Sequence, residues 1–140
     1  MSKIAVVVWT GTGNTAAMGD AVKEGAEAAG AEVSVLEFSD LNADAVAEFD
    51  GFALGCPAMG DEVLEEGEVQ PAWDDVKADL ANKKVALFGS YGWGDGEWMR
   101  SWEEDASDNG ITLACDSVIA NNAPDDEALE ACKALGAALV

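Results

Sequence analysis

Ile4-Ala5-Val6-Val7-Val8-Trp9-Thr10-Gly11-Thr12-Gly13-Asn14-Thr15 is the stretch on which the fold turns. Its first five residues form an unbroken apolar run, as in a strand buried on both faces. Beyond Thr15, Met18, Ala21, Val22, Gly25 and Ala29 recur at helical spacing, which predicts a helix over 14–29 that Gly30 stops. A Gly/Thr turn joins the two. Backbone N–H groups at a helix start have no intrahelical partner, and the helix dipole favours negative charge there, so the junction suits an anion. Gly11 and Gly13 let the backbone come close, and Thr10, Thr12 and Thr15 add hydroxyl donors. The turn holds no Lys or Arg, which excludes a Walker-type nucleotide loop and leaves a terminal phosphate to neutral donors. A turn that merely caps its helix carries the same residues, and this stretch alone leaves that reading open.

The rest of the chain continues the alternation. Residues 32–38 predict an outer strand, with Val33, Val35 and Glu37 opposed to Ser34 and Leu36. A short helix over 43–48 leads to a third strand at 51–56. Val69, Trp73, Val76 and Leu80 make the stripe of the next helix, with Pro71 tolerable in its first turn. Val85-Ala86-Leu87-Phe88-Gly89 is a fourth, wholly apolar strand. Trp98 and Trp102 mark a helix over 97–109 that Gly110 ends, and 111–120 is a more polar edge strand. Pro124-Asp125-Asp126 opens the last helix, with Leu129, Cys132, Gly136 and Leu139 in one stripe. Five strand–helix alternations imply an α/β fold whose parallel sheet is covered on both faces by right-handed crossovers. Ligands of such sheets bind beyond the carboxyl ends of the strands, so the loops after strands one, three and four carry the information.

Composition narrows the function. With 140 residues, 49% of them hydrophobic, the chain is one globular domain with a substantial core. No apolar run approaches the ~20 residues of a membrane span, and the signal-peptide pattern is missing, so a cytoplasmic protein is expected. Cys56, Cys115 and Cys132 fall at unrelated spacings and there is no histidine, which argues against a disulfide framework, a zinc site and His-based catalysis. Buried free thiols are expected instead. The 28 acidic residues against 7 basic ones give a net charge of −21, which disfavours nucleic acid and anionic membranes as partners. Such a surface either serves solubility and salt tolerance or steers the protein toward basic partners.

The loop after strand three reads Cys56-Pro57-Ala58-Met59-Gly60-Asp61-Glu62-Val63, and that after strand four Ser90-Tyr91-Gly92-Trp93-Gly94-Asp95-Gly96-Glu97-Trp98. Met59 in one rim and Trp93 in the other can grip a flat ring from opposite sides, while the glycines bring backbone N–H groups to its edge. A Trp between glycines in a loop exposes apolar area and costs chain entropy, which favours a ligand role for Trp93. Trp73 and Trp102 read as core anchors.

Thr10-Gly-Thr-Gly-Asn-Thr15, Met59-Gly-Asp-Glu62 and Ser90-Tyr-Gly-Trp-Gly-Asp95 together resemble flavodoxin, specifically the short-chain kind of anaerobic bacteria. The likeness spans the whole chain in order and spacing. It implies a flavodoxin-like, doubly wound five-stranded parallel sheet of order 2-1-3-4-5 with helices on both faces. It also implies a single FMN-binding domain acting as a low-potential one-electron carrier, not an enzyme, that shuttles between semiquinone and hydroquinone. By the same resemblance Thr10, Gly11, Thr12, Gly13, Asn14 and Thr15 hold the 5′-phosphate, Met59 and Trp93 flank the isoalloxazine, and Glu62 accepts the ring N3–H. Backbone groups of Gly60, Trp93 and neighbouring loop residues, among them Ala58, Asp61, Tyr91, Gly92 and Gly94, meet the remaining ring edge. Ser90 adds a phosphate contact, and Trp98 and Asn122 match peripheral positions. The partners implied are basic redox proteins, docked transiently by charge to a monomer. Pro57 departs from a common family pattern, since it has neither the hydroxyl nor the N–H that a serine there offers the phosphate.

Redox tuning is expected at Gly60-Asp61, whose peptide turns toward flavin N5 on one-electron reduction in the family; glycine makes the flipped turn cheap. Asp61, Glu62 and Asp95 add negative charge. One charge ~10 Å away at an effective dielectric of ~20 opposes the second electron by roughly 1.7 kcal/mol, on the order of 70 mV. Three competing readings fit less of the chain. Gly11-x-Gly13-x-x-Ala16 with Glu37 fits a relaxed dinucleotide fingerprint but explains neither rim loop. A phosphoacceptor receiver domain needs acids where Trp9-Thr10 and Cys56 stand. A module that stores or senses FMN without passing electrons would share the site.

Overall fold

The computed structural model describes residues 2–9, 13–59, 64–92, 94 and 96–140. Strands β1 (Lys3–Val8), β2 (Glu32–Leu36), β3 (Gly51–Gly55), β4 (Lys84–Tyr91) and β5 (Val118–Asn121) form one sheet, parallel throughout, in the order β2-β1-β3-β4-β5. Helices α1 (Gly13–Ala28), α2 (Ala43–Glu48), α3 (Val69–Val76), α4 (Glu97–Asp108) and α5 (Asp126–Ala138) cover it. β1 lies between β2 and β3, so the chain leaves it in one direction and returns past it in the other. The crossovers therefore divide between the faces: α1 and α5 on one, α2, α3 and α4 on the other. In open sheets of this kind the ligand crevice lies at the carboxyl ends of the strands where the order reverses, here between β1 and β3, a rule for which flavodoxins are themselves a standard illustration.

Burial follows position in the sheet. Every residue of β3 is buried, and β1 and β4 are buried along almost their whole length, as expected for strands covered on both faces. The exposed large apolar side chains among the described residues, Val35 and Ile119, stand on the two edge strands. The α1/α5 layer combines small residues with Ile4, Met18, Phe88, Leu135 and Leu139. A Cβ on Gly25 would overlap the Lys133 carbonyl, and one on Gly136 would overlap the Val22 carbonyl, so the two helices touch backbone to backbone. The opposite layer is aromatic: Phe38, Phe49, Phe52, Trp73, Trp98 and Trp102 are all buried in it. Trp73 and Trp102 are core anchors as expected, their rings edge to face at 5.8 Å. Each buried indole removes roughly 150–250 Å² from water, worth about 4–6 kcal/mol before the entropy of ordering it.

Several boundaries differ from the sequence reading. β4 runs on to Tyr91, so Ser90 and Tyr91 end a strand instead of starting a loop. β5 is confined to Val118–Asn121. Upstream of it Leu113 only bridges Val85, and the Ser117 hydroxyl turns to Glu103 Oε2 at 2.9 Å. β2 stops at Leu36, because Phe38 folds inward through a short 3-10 turn over Phe38–Asp40. In α5 the buried stripe includes Leu135 as well as Cys132, Gly136 and Leu139. Cys56 and Cys132 are buried thiols, whereas Cys115 is half-exposed. The opposite end of the sheet holds both ends of the chain. Ser2 O accepts from Glu32 N–H at 2.8 Å beside the start of β1, and Lys84 Nζ, at the start of β4, donates to Val140 O at 3.1 Å.

Candidate functional site

Four segments meet at the carboxyl end of the sheet, and hydrogen bonds join them directly. α1 begins at Gly13 because the apolar stripe on Met18, Ala21, Val22 and Ala26 buries against the sheet and α5. Thr15, in its first turn, is fully buried, and its Oγ1 lies 3.1 Å from the Oγ of buried Ser90 near the end of β4. The Ser90 N–H also approaches Thr15 Oγ1 at 3.4 Å. Beyond β3, Ala58 N–H donates to Ser90 O at 3.0 Å. Beyond β5, Asn122 N–H donates to Tyr91 O at 2.7 Å. Asn122 stands in the left-handed region (φ 58°), a conformation that Asn tolerates better than most residues, and its Oδ1 lies within 3.5 Å of the space a Cβ on Gly92 would fill.

The predicted residues thus divide. The structure brings together Thr15, Ala58, Ser90, Tyr91, Gly92 and Asn122, with Gly13 and Asn14 opening α1 and Met59, half-buried, following Ala58. Gly94 lies beyond the end of β4 with φ +84°. Thr10, Gly11, Thr12, Gly60, Asp61, Glu62 and Trp93 lie outside the described residues, as does Asp95. Trp98 reaches the site from behind. Its ring is buried against Tyr91 at 5.5 Å, and its only donor, Nε1–H, is committed to Cys56 O at 3.1 Å.

Two residues that were not singled out as site residues hold the frame of the loop after β3. Cys56 Sγ donates to Pro57 O at 3.3 Å and accepts from Glu65 N–H at 3.5 Å. Burial pushes this thiol up to about 12, with the Glu65 charge adding to the rise and the Glu65 N–H opposing it. The Glu65 carboxylate accepts from Gly67, Glu68 and Val69 N–H at 2.7, 2.6 and 3.1 Å, satisfying the unpaired donors at the start of α3. Partial burial acts to raise the Glu65 pKa, but these three bonds outweigh it and hold the carboxyl below its usual range. The signal for Glu65 was present: an acid four residues before the first apolar position of a helix, with Gly67 in between.

The electrostatics of the helix starts separate one end from the others. α2, α4 and α5 carry Asp44, Glu97, and Asp126 with Glu127 in their first turns, and α3 is served by Glu65. The first turn of α1 carries no acid. In a chain with 28 acidic residues, the helix that follows β1 starts without a carboxylate in its first turn. Among the described residues, no atom lies within 4 Å of the position a Cβ on Gly13 would take. Neutral donors, an acid-free helix start and small residues at the rim fit the phosphate end of a flavin nucleotide.

The flavodoxin family model matches residues 6–136. The chain belongs to the flavodoxin family. It is 47% identical over 135 residues to a flavodoxin of Megasphaera elsdenii, covering 96% of each chain. To a flavodoxin of Clostridium beijerinckii it is 45% identical over 121 residues, 86% of this chain and 88% of that one. The fold agrees: the solution structure of the two-electron-reduced M. elsdenii flavodoxin superposes with a TM-score of 0.89 at 48% identity, covering 97% of each chain. As a flavodoxin the chain is an FMN-binding electron-transfer protein that passes electrons to partner proteins instead of turning over a substrate of its own. No helix among the described residues is long and apolar enough to cross a membrane.

Proposed function

We propose that this flavodoxin is a monomeric, cytoplasmic, low-potential carrier of single electrons, with FMN seated across the carboxyl ends of β1, β3 and β4. The observation that carries this reading is the buried Thr15–Ser90 bridge, which fixes the acid-free start of α1 against the end of β4. Residues 10–15 surround the phosphate; Ser90 is held in place to contribute its hydroxyl. Pro57 is buried and offers no donor, so the phosphate depends on the α1 side of the crevice. Met59 and Trp93 flank the ring, Glu62 accepts from its edge, and the Gly60-Asp61 peptide turns to meet it on reduction. Trp98 and Asn122 support the rim: Trp98 through Cys56, Asn122 through Tyr91. Bound FMN supplies two successive one-electron steps.

The charge of the chain sets the direction of both tuning and docking. With −21 overall, a second electron enters a negative field, which lowers its potential. The same field draws a partner with a basic contact surface, and that attraction weakens as salt screens it. The deciding measurement is an anaerobic reductive titration of FMN-loaded protein. Two resolved one-electron steps, the second well below free FMN, are expected, and Thr15→Ala should weaken FMN binding at least tenfold. A single two-electron step would overturn the one-electron reading, and unchanged affinity in Thr15→Ala would overturn the phosphate assignment.

A further inference from the structure

We propose that Cys56 is a positioning residue for electron transfer: its thiol ties the two limbs of the loop after β3 together. Through that tie it helps set the first reduction potential. The argument begins with what each limb is fastened to. The incoming limb is pinned to β4, with Cys56 N–H donating to Phe88 O at 3.2 Å and Ala58 N–H to Ser90 O at 3.0 Å. The outgoing limb is pinned to α3, where the Glu65 carboxylate gathers three backbone N–H groups and Glu65 O accepts from Gln70 N–H at 2.9 Å. These anchors lie on different elements. Cys56 Sγ joins them, accepting from Glu65 N–H at 3.5 Å while donating to Pro57 O at 3.3 Å. Its own carbonyl is held from below by Trp98 Nε1–H at 3.1 Å, and a Cβ on Gly89 would overlap that same carbonyl. The residue is fully buried, which shields the contact with Pro57 O from water and leaves the one with the half-buried Glu65 amide partly shielded. Burial also keeps the S–H protonated, preserving its donor role at any working pH.

A turn that changes shape between two supports gains most from its new contact when the supports stay still. If the limbs are free to drift, part of that gain is lost to ordering them. The thiol supplies that stillness. Sulfur contacts are long and weak, so the effect is a bias and not a lock. The inference rests on the reading above that the Gly60-Asp61 turn meets the flavin on reduction.

The experiment compares Cys56→Ala, Cys56→Ser and Cys132→Ala with the parent protein, measuring FMN affinity, both one-electron potentials and hydrogen exchange of the Glu65 amide without FMN. Cys132 is the control, an equally buried thiol in the α1/α5 layer, remote from the loop. Cys56→Ala should accelerate exchange at Glu65 and lower the equilibrium constant for the first electron roughly threefold to tenfold. At 59 mV per decade that is a fall of about 30–60 mV. FMN affinity should change less than about threefold. Cys56→Ser, which keeps a donor and an acceptor, should restore most of the potential, and Cys132→Ala should leave it unmoved. Unchanged potentials in Cys56→Ala overturn the proposal, as does an equal shift in Cys132→Ala. If Cys56→Ala fails to fold, Cys56→Val, which fills the space but can neither donate nor accept, replaces it, and unchanged exchange at Glu65 with an unchanged first potential in that variant overturns the proposal. A parent protein that does not bind FMN, or that reduces in one two-electron step, instead defeats the reading on which the inference stands.

Discussion

The two layers that sandwich the sheet are built from different materials. On the α1/α5 side Ala, Gly and Val stand among aliphatic side chains such as Met18 and Leu135 and the single ring of Phe88, and backbone meets backbone at Gly25 and Gly136. On the other side three buried indoles and three phenyl rings fill a thicker layer beneath the loops after β3 and β4. The difference matches what each layer must position. In the site proposed above, the α1 start presents backbone donors to the phosphate, and a helix wedged by main-chain contact resists sliding. In that same proposal, the loops on the aromatic side hold a ring yet allow a peptide to turn. Large side chains with their own hydrogen bonds, such as Trp98 to Cys56 and Trp73 to Asp105 at 2.7 Å, support them from below without gripping the turn itself.

The strongest way to break this contrast is Gly136→Val. The obstructing atoms are the Val22 carbonyl and the Ala26 backbone, which cannot rotate aside. The cost should exceed about 3 kcal/mol, the upper end of ordinary overpacking, with FMN affinity falling as α1 shifts. Urea unfolding and flavin titration of the variant would show it; a loss below about 1 kcal/mol would mean the helices have slack. Trp73→Phe probes the aromatic layer more gently. It deletes an indole donor to Asp105 and some buried area, for about 1–3 kcal/mol. FMN affinity should hold, because the hydrogen bond and ring contact of Trp73 go to Asp105 and Trp102 on α4. Equal damage to binding and stability would erase the distinction between the layers.

Glu65→Gln should have the smallest effect, and it is recognised by its pH dependence. The Glu65 carboxyl has a lower pKa folded than unfolded. Its contribution is therefore complete above the unfolded value of roughly 4.3 and disappears as pH falls through the lower folded value. The stability gap between parent and variant should be flat above about pH 5 and close on further acidification. A gap that widens toward acid contradicts the sign. Asp105 behaves alike: burial acts to raise its pKa, but Trp73, Lys77 and Asn109 outweigh it and hold the carboxyl down, so this support also fades only in acid.

Much of this was legible in the sequence because central strands and helix stripes announce themselves by periodicity. Val69, Trp73 and Val76 could be placed on one buried face before any coordinates, and all three are; Leu80, expected on the same helix, is buried from a 3-10 turn over Asp79–Asn82 after α3 has ended. What resisted was set by partners far along the chain. Ser90-Tyr91 reads as loop because glycines follow, yet Ala58 and Asn122 continue the pairing there. The stretch 111–117 alternates well enough for a strand, but the chain makes a single bridge to β4 and departs. Nothing local to Cys56 reveals that its sulfur meets the amide of Glu65. Motif and spacing are what nominate the site residues; the hydrogen bonds that join Thr15 to Ser90, Ala58 to Ser90 and Asn122 to Tyr91 come only from tertiary contact.

The placement of residues 2 and 140 at the amino-terminal edge of the sheet, opposite the crevice, has a practical bearing on wiring. A peptide linker, an electrode tether or a fused reductase domain attached at either end departs from the far side of the molecule. The crevice then faces outward from whatever surface holds the protein. Orientation on a conducting support, which usually has to be engineered, is here supplied by the order of the strands.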